Sequence, residues 1–295
     1  MDITKLRSFL VLANCKSFTD TANQLFLSQP AISKHIDSLE KELGILLVNR
    51  NRGHISLTIH GEYFLPYASE MVRLCENSKE HLRQLEDMNE GTLHFGATNF
   101  IGVYLLPKLL REFQEYYPKI EVNMTVAPSK KLFNMLERHE LEFAFLSHYV
   151  DLDDSKYHSL FYELDHMVLI VAKQHPLAAL SSCKLHEIAN EVFISKESSS
   201  SLTRFLRKQF NGQPFKKQLT ISNQEGIKQA VIQNIGVSIM SSKAVEVEVA
   251  AGLIQTIEIE DFNLDREINI IHHKKFTLTP AGNAFFDILG MDLET

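Results

Sequence analysis

Residues 17–40 read Ser17-Phe18-Thr19-Asp20-Thr21-Ala22-Asn23-Gln24-Leu25-Phe26-Leu27-Ser28-Gln29-Pro30-Ala31-Ile32-Ser33-Lys34-His35-Ile36-Asp37-Ser38-Leu39-Glu40. The spacing predicts two short amphipathic helices joined by a tight turn, the second opening on small polar and cationic side chains. A pair of this kind presents a helix N-terminus to the major groove of DNA. The device has to be local, because the chain carries a formal net charge of −7 and only the field at the contact face can favour DNA.

Outward from that stretch, Ile3, Leu6, Phe9, Leu10 and Ala13 recur at helical spacing and predict a preceding helix with one buried face. Ser17 with Asp20 reads as a capping box for the second helix, whose Ala22 and Leu25 can face the first. Ser28 is a good N-cap for the third, and Pro30 sits in its first turn, where the missing amide would be unpaired anyway. Ile32, Ile36, Leu39 and Leu43 form its buried stripe and Gly44 supplies a stop. With that stripe inward, Gln29, Ser33, Lys34 and the edge of His35 face solvent. Gln can pair bidentately with adenine, Ser with several bases, and Lys with guanine or phosphate; the bland alternative is a solvated helix face. Next comes Val48-Asn49-Arg50-Asn51-Arg52-Gly53-His54-Ile55-Ser56-Leu57-Thr58, in which Arg50 and Arg52 flank a Gly turn between short extended runs. Cations on such a turn position a protein on phosphates without reading sequence.

Thr58 can cap a longer helix. Phe64, Ala68, Met71, Cys75, Ser78, Leu82, Leu85 and Asn89 alternate at spacings of 4 and 3, a heptad seam closed by Glu90-Gly91, with Pro66 inside it. A seam on one long helix needs a partner, either the chain's own C-terminal part or a second copy.

From Thr92 the pattern changes to strands alternating with helices. Leu93-Phe95-Ala97, Ile120–Val126, Phe143–Leu146, Met167–Val171, Phe193–Ser195, Leu219–Ile221 and Val237–Met240 read as strands. Leu106, Leu109, Leu110 and Phe113 mark a helix, as do Leu132 and Leu136. That alternation predicts an α/β domain with a mostly parallel sheet, in which ligands sit at the carboxyl ends of strands beside helix N-termini. The candidates are Thr98 and Asn99 with Phe100, Ser129, Ser195, and Asn223 with Gln224. Each is also a plain helix cap or its neighbour.

Composition agrees with a globular chain: 295 residues, 44% hydrophobic and 23% charged. No apolar run is long enough for a membrane helix and Met1–Lys5 carries no export signal, so the expected compartment is the cytoplasm, with no membrane partner. Cys15, Cys75 and Cys183 are odd in number and far apart, which argues against disulfides. Catalytic and metal signatures are missing: no Gly-x-Ser-x-Gly elbow, no phosphate loop, no His-Glu-x-x-His pair. His272 and His273 are neighbours that a strand would point to opposite faces, so no metal site, cofactor or catalytic residue is expected.

The chain resembles the LysR-type transcriptional regulators nearly throughout. The N-terminal match rests on Ser17-Phe18-Thr19, Ser28-Gln29-Pro30-Ala31-Ile32-Ser33, Leu39-Glu40, Glu42-Leu43-Gly44, and Leu57-Thr58 followed by Gly61. The C-terminal match rests on Phe95-Gly96-Ala97-Thr98, Leu105-Leu106-Pro107, His175-Pro176-Leu177-Ala178, Ser222-Asn223-Gln224-Glu225-Gly226, Gly236-Val237 and Leu278-Thr279-Pro280-Ala281. The resemblance implies a multidomain α plus α/β architecture. It would comprise a winged helix-turn-helix over residues 1–58, a linker and dimerisation helix over 59–90, and an effector-binding domain over 91–295 that is related in fold to periplasmic binding proteins. Subdomain I would span about 91–163 and 266–295, subdomain II about 164–265, with the chain crossing near Glu163–Asp165 and Asp265–Glu267.

The DNA face implied is Thr19, Ser28, Gln29, Pro30, Ser33, Lys34, His35, Arg50, Arg52 and His54. The effector set implied is Thr98, Asn99, Phe100, Ser129, Ser195, Asn223 and Gln224. The Ser198–Ser201 loop and Arg204 are in ambiguous register. Lys34 stands where the family usually has Arg. The partners implied are double-stranded promoter DNA, further copies of the chain as a dimer or tetramer, and a small polar or anionic metabolite. A solute-binding protein without DNA function and an α/β enzyme remain as alternatives, and both leave the first 60 residues unexplained.

Overall fold

The computed structural model describes residues 1–51, 54–86, 91–147, 152–211 and 215–291. It divides into two units, one of residues 1–91 with 138–140, the other of 92–137 with 141–295.

The first unit runs α1 (Ile3–Cys15), α2 (Phe18–Gln24), α3 (Gln29–Leu43), β1 (Val48–Asn51), β2 (His54–Leu57) and α4 (Ile59–Glu86). Side chains cap each short helix: Asp2 accepts from the Thr4 amide, Ser17 from Asp20 and Ser28 from Ala31. Leu6, Phe9 and Leu12 of α1, Ile36 and Leu39 of α3, Leu47 and Val48, and Ala68 and Val72 of α4 form one core. Leu12, rather than the expected Ala13, takes the last buried position on α1, because the inward stripe runs Leu6, Phe9, Leu12 at a spacing of three and leaves Ala13 half-buried on its flank. Gly44 ends α3 at φ +71, as a left-handed stop requires. A Cβ on Gly61 would lie 2.1 Å from the Leu47 carbonyl oxygen, so only glycine lets the start of α4 approach β1. At the end of α2 the Leu27 amide reaches back to the Ala22 carbonyl at 2.9 Å, wrapping around Phe26 at φ +54. Glycine is the usual occupant of such a position, and an L side chain there costs about 1–2 kcal/mol.

Helix α4 runs on through Pro66. Its seam differs from the heptad reading. Phe64, Ala68 and Met71 pack into the core of their own unit, Phe64 lying 5.6 Å from Phe9 ring to ring. The first half of α4 therefore has two apolar faces. The outer one, Ile59, Tyr63, Tyr67 and Leu74, is uncovered, with Tyr63 72% exposed. Asn89 lies outside the described residues, as does the side chain of Leu85.

The second unit contains β3 (Gly91–Ala97), a π-helical turn at Ile101–Leu105 leading into α5 (Leu106–Tyr116), β4 (Ile120–Val126), α6 (Ser129–Glu137), β5 (Phe143–Ser147) and β6 (Tyr157–Ala172). It continues with β7 (Ser182–Cys183), β8 (Val192–Ser195), α7 (Ser201–Gln209), β9 (Lys217–Thr220), α8 (Gln224–Ile232) and β10 (Ser238–Ser241). The last elements are α9 (Glu246–Ala250), β11 (Ile254–Ile259), β12 (Asp265–His273) and α10 (Pro280–Leu289). The main sheet runs β4-β3-β5-β12-β6-β11-β7, with β10 also on β6.

The sheet is mixed rather than mostly parallel. β3 and β5 are parallel, as are β11 and β7, but β6 is antiparallel to β10, β11 and β12, and β12 is antiparallel to β5; β8 and β9 form a separate parallel pair. The reason is the long strand β6. Its first half pairs with β12, its second half is flanked by β10 and β11, and β12 runs back against it. Asp165 faces Arg266 across this pair and Glu163 faces Ile268. On the β3–β5 side, Phe95, Phe113, Phe143, Phe145, Phe285 and Phe286 form an aromatic core, with Phe95 and Phe143 centroids 5.2 Å apart. No helix among the described residues is long and apolar enough to cross a membrane.

Candidate functional site

Two surfaces gather the candidate residues. The first is the exposed start of α3. Gln29, Pro30 and Lys34 are exposed and Ser33 half-buried, with Thr19 exposed at the start of α2, so these side chains share one accessible end of the helix pair. Ser28 Oγ is committed to the Ala31 amide as N-cap. His35 turns part of its ring inward, with Nδ1 2.8 Å from Ser8 Oγ. Ser8 donates its own hydrogen to the Thr4 carbonyl at 3.0 Å, so Nδ1–H must be the donor to Ser8, and a neutral ring then leaves Nε2 as acceptor.

The wing is built differently from a free phosphate clamp. Arg50 donates to Asp37 Oδ1 at 2.5 Å and Glu40 Oε2 at 3.1 Å, and its guanidinium lies 5.5 Å from the Phe18 ring centre. The other oxygen of buried Glu40 accepts from the Leu47 and Val48 amides at 2.8 and 3.0 Å. Together these contacts staple the wing strand β1 to α3. Arg52 lies outside the described residues, as does the side chain of His54, whose backbone pairs with Asn51.

The second surface is a cavity of about 670 Å³ in the α/β unit. Thr98, Asn99, Phe100, Ser129, Asn223 and Gln224 all line it. So do Ser199, Ser200, Ser201 and Arg204, whose register the sequence left ambiguous. Ser195 stands apart: with Phe193, on the same face two residues earlier, it lines a separate cavity of about 320 Å³ against α7 and β9.

Four helix starts bring their ends to the larger cavity: the π-helical turn after Thr98, α6 at Ser129, α7 after its cap Ser200, and α8 after its cap Asn223. Unpaired amides and aligned dipoles at such ends favour negative charge. Asn223 Oδ1 is taken by the Gly226 amide at 2.6 Å, which leaves its NH2 as a donor. The cations Lys130, Lys196 and Arg204 line the same space, and none has a carboxylate within salt-bridge distance among the described residues.

Several residues of this wall were not legible in the sequence: Ser147, Ser241, Lys130, Lys196 and Arg266. Arg266 is 4% exposed; its Nε donates to Oδ2 of wholly buried Asp165 at 2.6 Å, and Ser241 Oγ donates to the other oxygen at 2.5 Å. The guanidinium sits 4.9 Å from the Phe100 ring centre. The only available signal was their position, Asp165 and Arg266 each lying at an expected chain crossing.

Two buried titratable groups lie elsewhere in the unit. Burial pushes Glu142 up to about 7, although Thr279 donates both its amide and its hydroxyl to it at 2.8 Å. Burial, with help from His158 stacked at 4.8 Å, pushes His272 down to about 4.

Comparison with known proteins agrees with this architecture. Residues 3–62 match the family described as bacterial regulatory helix-turn-helix protein, lysR family, and residues 86–293 match LysR substrate binding domain. A probable RuBisCO transcriptional regulator of Phaeodactylum tricornutum is 33% identical over 280 residues, covering 92% of this chain and 91% of the relative. The HTH-type transcriptional regulator CysL of Bacillus subtilis is 28% identical over 286 residues, covering 96% and 95%. Full-length CbnR, solved as a complex with its target DNA, shares the fold with a TM-score of 0.71 at 21% identity, over 98% of this chain and 99% of that one. The chain therefore belongs to the LysR family of transcriptional regulators, pairing a helix-turn-helix with an effector-binding domain.

Proposed function

We propose that this regulator binds promoter DNA as a homodimer or a pair of dimers, and that a small anionic metabolite in the 670 Å³ cavity changes its geometry there. The observation that carries the reading is the cavity wall, where four helix starts and three cations with no salt-bridge partner among the described residues outweigh the carboxylate of Glu197 among serine hydroxyls. A carboxylate or phosphate ester is the complementary ligand. The ligand must bind one arrangement of the two subdomains better than the other, otherwise it shifts nothing. Dimerisation is supported by the uncovered stripe Ile59, Tyr63, Tyr67 and Leu74 on α4, because apolar faces of this kind mark protein contacts. Two copies would place two α3 starts on one pseudo-palindromic site.

The ligand half is tested by thermal shift of the full chain against panels of carboxylates and phosphate esters. One class is expected to raise Tm, since a ligand bound only by the native state stabilises it. Thr98→Ala and Asn99→Ala should remove the shift; if both keep it in full, the ligand binds elsewhere. For the DNA half, Ser33→Arg and Lys34→Ala should weaken duplex binding in a salt-controlled anisotropy assay without changing the melting temperature. Tyr67→Glu with Leu74→Glu should give monomers by sedimentation, and a retained dimer would remove the α4 stripe from the interface.

A further inference from the structure

The feature that neither the fold nor the cavity explains is Phe26. It is 94% exposed, so its ring packs against almost nothing in its own unit. It also occupies the left-handed position at the end of α2, φ +54, which suits glycine and penalises a large side chain. The residue therefore opposes local backbone preference and gains no burial in return. Strain of this kind at a residue with no structural role points to a contact outside the chain. Its place says which contact. Phe26 lies two positions before the N-cap Ser28 and three before exposed Gln29, continuous with the end of α3 that faces DNA in the reading above.

We infer that Phe26 reads a thymine by apolar contact with its C5-methyl group at the major-groove edge, beside the bases met by the start of α3. Thymine is the base with an apolar feature in that groove, and phenylalanine is a side chain suited to it. The inference rests on the recognition-helix assignment. It adds to that assignment an uncharged specificity element, which a face with Lys34 as its exposed cation can use to discriminate sites without a stronger phosphate grip. The Leu27-to-Ala22 bond fixes the backbone on both sides of Phe26, in the turn that leads into α3.

The test uses the full chain and a duplex enriched by it from a randomised pool, with binding read by anisotropy at one salt concentration. Each thymine is replaced singly by deoxyuridine, which removes the methyl and nothing else. One thymine per half-site should then weaken wild-type binding about fourfold, the value of burying one methyl-sized group. Phe26→Gly should weaken binding to the thymine duplex by a similar factor and be indifferent to that replacement, while melting no lower than wild type. The inference is overturned if Phe26→Gly binds like wild type, if it keeps the same response to every deoxyuridine, or if it changes the oligomeric state without DNA. Gln29→Ala separates the two levels. If Gln29→Ala weakens binding and Phe26→Gly does not, the thymine contact alone is wrong; if neither does, the recognition-helix assignment falls with it.

Discussion

The wing of the first unit and the cavity of the second use their cations in opposite ways. In the helix-turn-helix unit, Lys5 is 3.9 Å from Glu42, Arg7 2.7 Å from Glu76, and Arg50 bridges Asp37 and Glu40. At the exposed start of α3, Lys34 has no such partner among the described residues and stands among neutral Gln29 and Ser33. In the cavity of the α/β unit, Lys130, Lys196 and Arg204 have no carboxylate partner among the described residues, and Arg266 alone is paired. A cation with a partner holds the fold, whereas one without a partner is free to hold a ligand. The wing cation is thus satisfied within its own unit, whereas in the function proposed above an anionic ligand completes the cavity wall.

The comparison breaks first at Arg266. Removing one member of a buried pair strands the other charge, so Arg266→Ala should destabilise the α/β unit by about 3–5 kcal/mol in urea unfolding. Arg266→Ala combined with Asp165→Ala should recover part of that loss. A change under 1 kcal/mol in the single variant would mean that the pair is solvated.

The next largest effect separates two buried groups of the same unit by pH. Glu142 is raised in the folded state, so the unfolded state releases its proton first and stability falls as pH rises from about 4.5 to about 7. The full loss is on the order of 3 kcal/mol. His272 is depressed from 6.5 to about 4, so stability rises with pH across that window and is lost as pH falls through it. The two slopes oppose each other between pH 4.5 and 6.5, and Glu142 acts alone just above. Glu142→Gln should therefore steepen the rise of Tm below pH 6.5 and raise Tm at pH 8 relative to wild type. Identical pH profiles for variant and wild type would contradict the burial argument.

Arg50→Ala is a smaller test, since Arg50 and Asp37 are half open to water. The loss should be about 1–2 kcal/mol, carried mostly by Glu40, which keeps its two amide donors but loses its cation. DNA binding should weaken through the displaced wing, and Arg50→Lys should restore little, because a point charge cannot span two carboxylates. At the bottom of the scale, Lys196→Ala and Arg204→Ala should leave unfolding stability within about 0.5 kcal/mol of wild type, as surface changes do. Both should nevertheless reduce the thermal shift produced by the anionic ligand class. A stability loss as large as that of Arg50→Ala would place these cations on the structural side of the comparison.

Local chemistry made much of this molecule legible. Ser17, Ser28 and Gly44 start and stop helices by capping rules that need only a few neighbouring residues, and the alternation in Ile120–Val126 shows a strand whatever lies beside it. The place of Asn99 and Asn223 on the larger cavity was legible for the same reason: both lie where a strand gives way to a helical segment. Ser195 lines the smaller cavity and not the larger one because strand alternation sets the face of a side chain, and sequence alone does not say which face of β8 turns to which cavity. The α4 seam strayed because one helix carries two apolar faces, and only packing assigns Phe64 and Ala68 to the inner one.

By itself the sequence determined the helix-turn-helix, its caps and its exposed Gln29–Lys34 end, the long α4, and the strand–helix rhythm of the remainder. All of these follow from interactions within a turn or two of chain. Only the tertiary structure decided that β6 and β12 run antiparallel, which brings Asp165 to Arg266 across 101 positions of sequence; it likewise decided, in the other unit, that Arg50 of β1 meets Glu40 of α3, and that three cations of the cavity wall have no carboxylate partner among the described residues. Charge pairing depends on which distant segments meet, and no local period encodes that meeting.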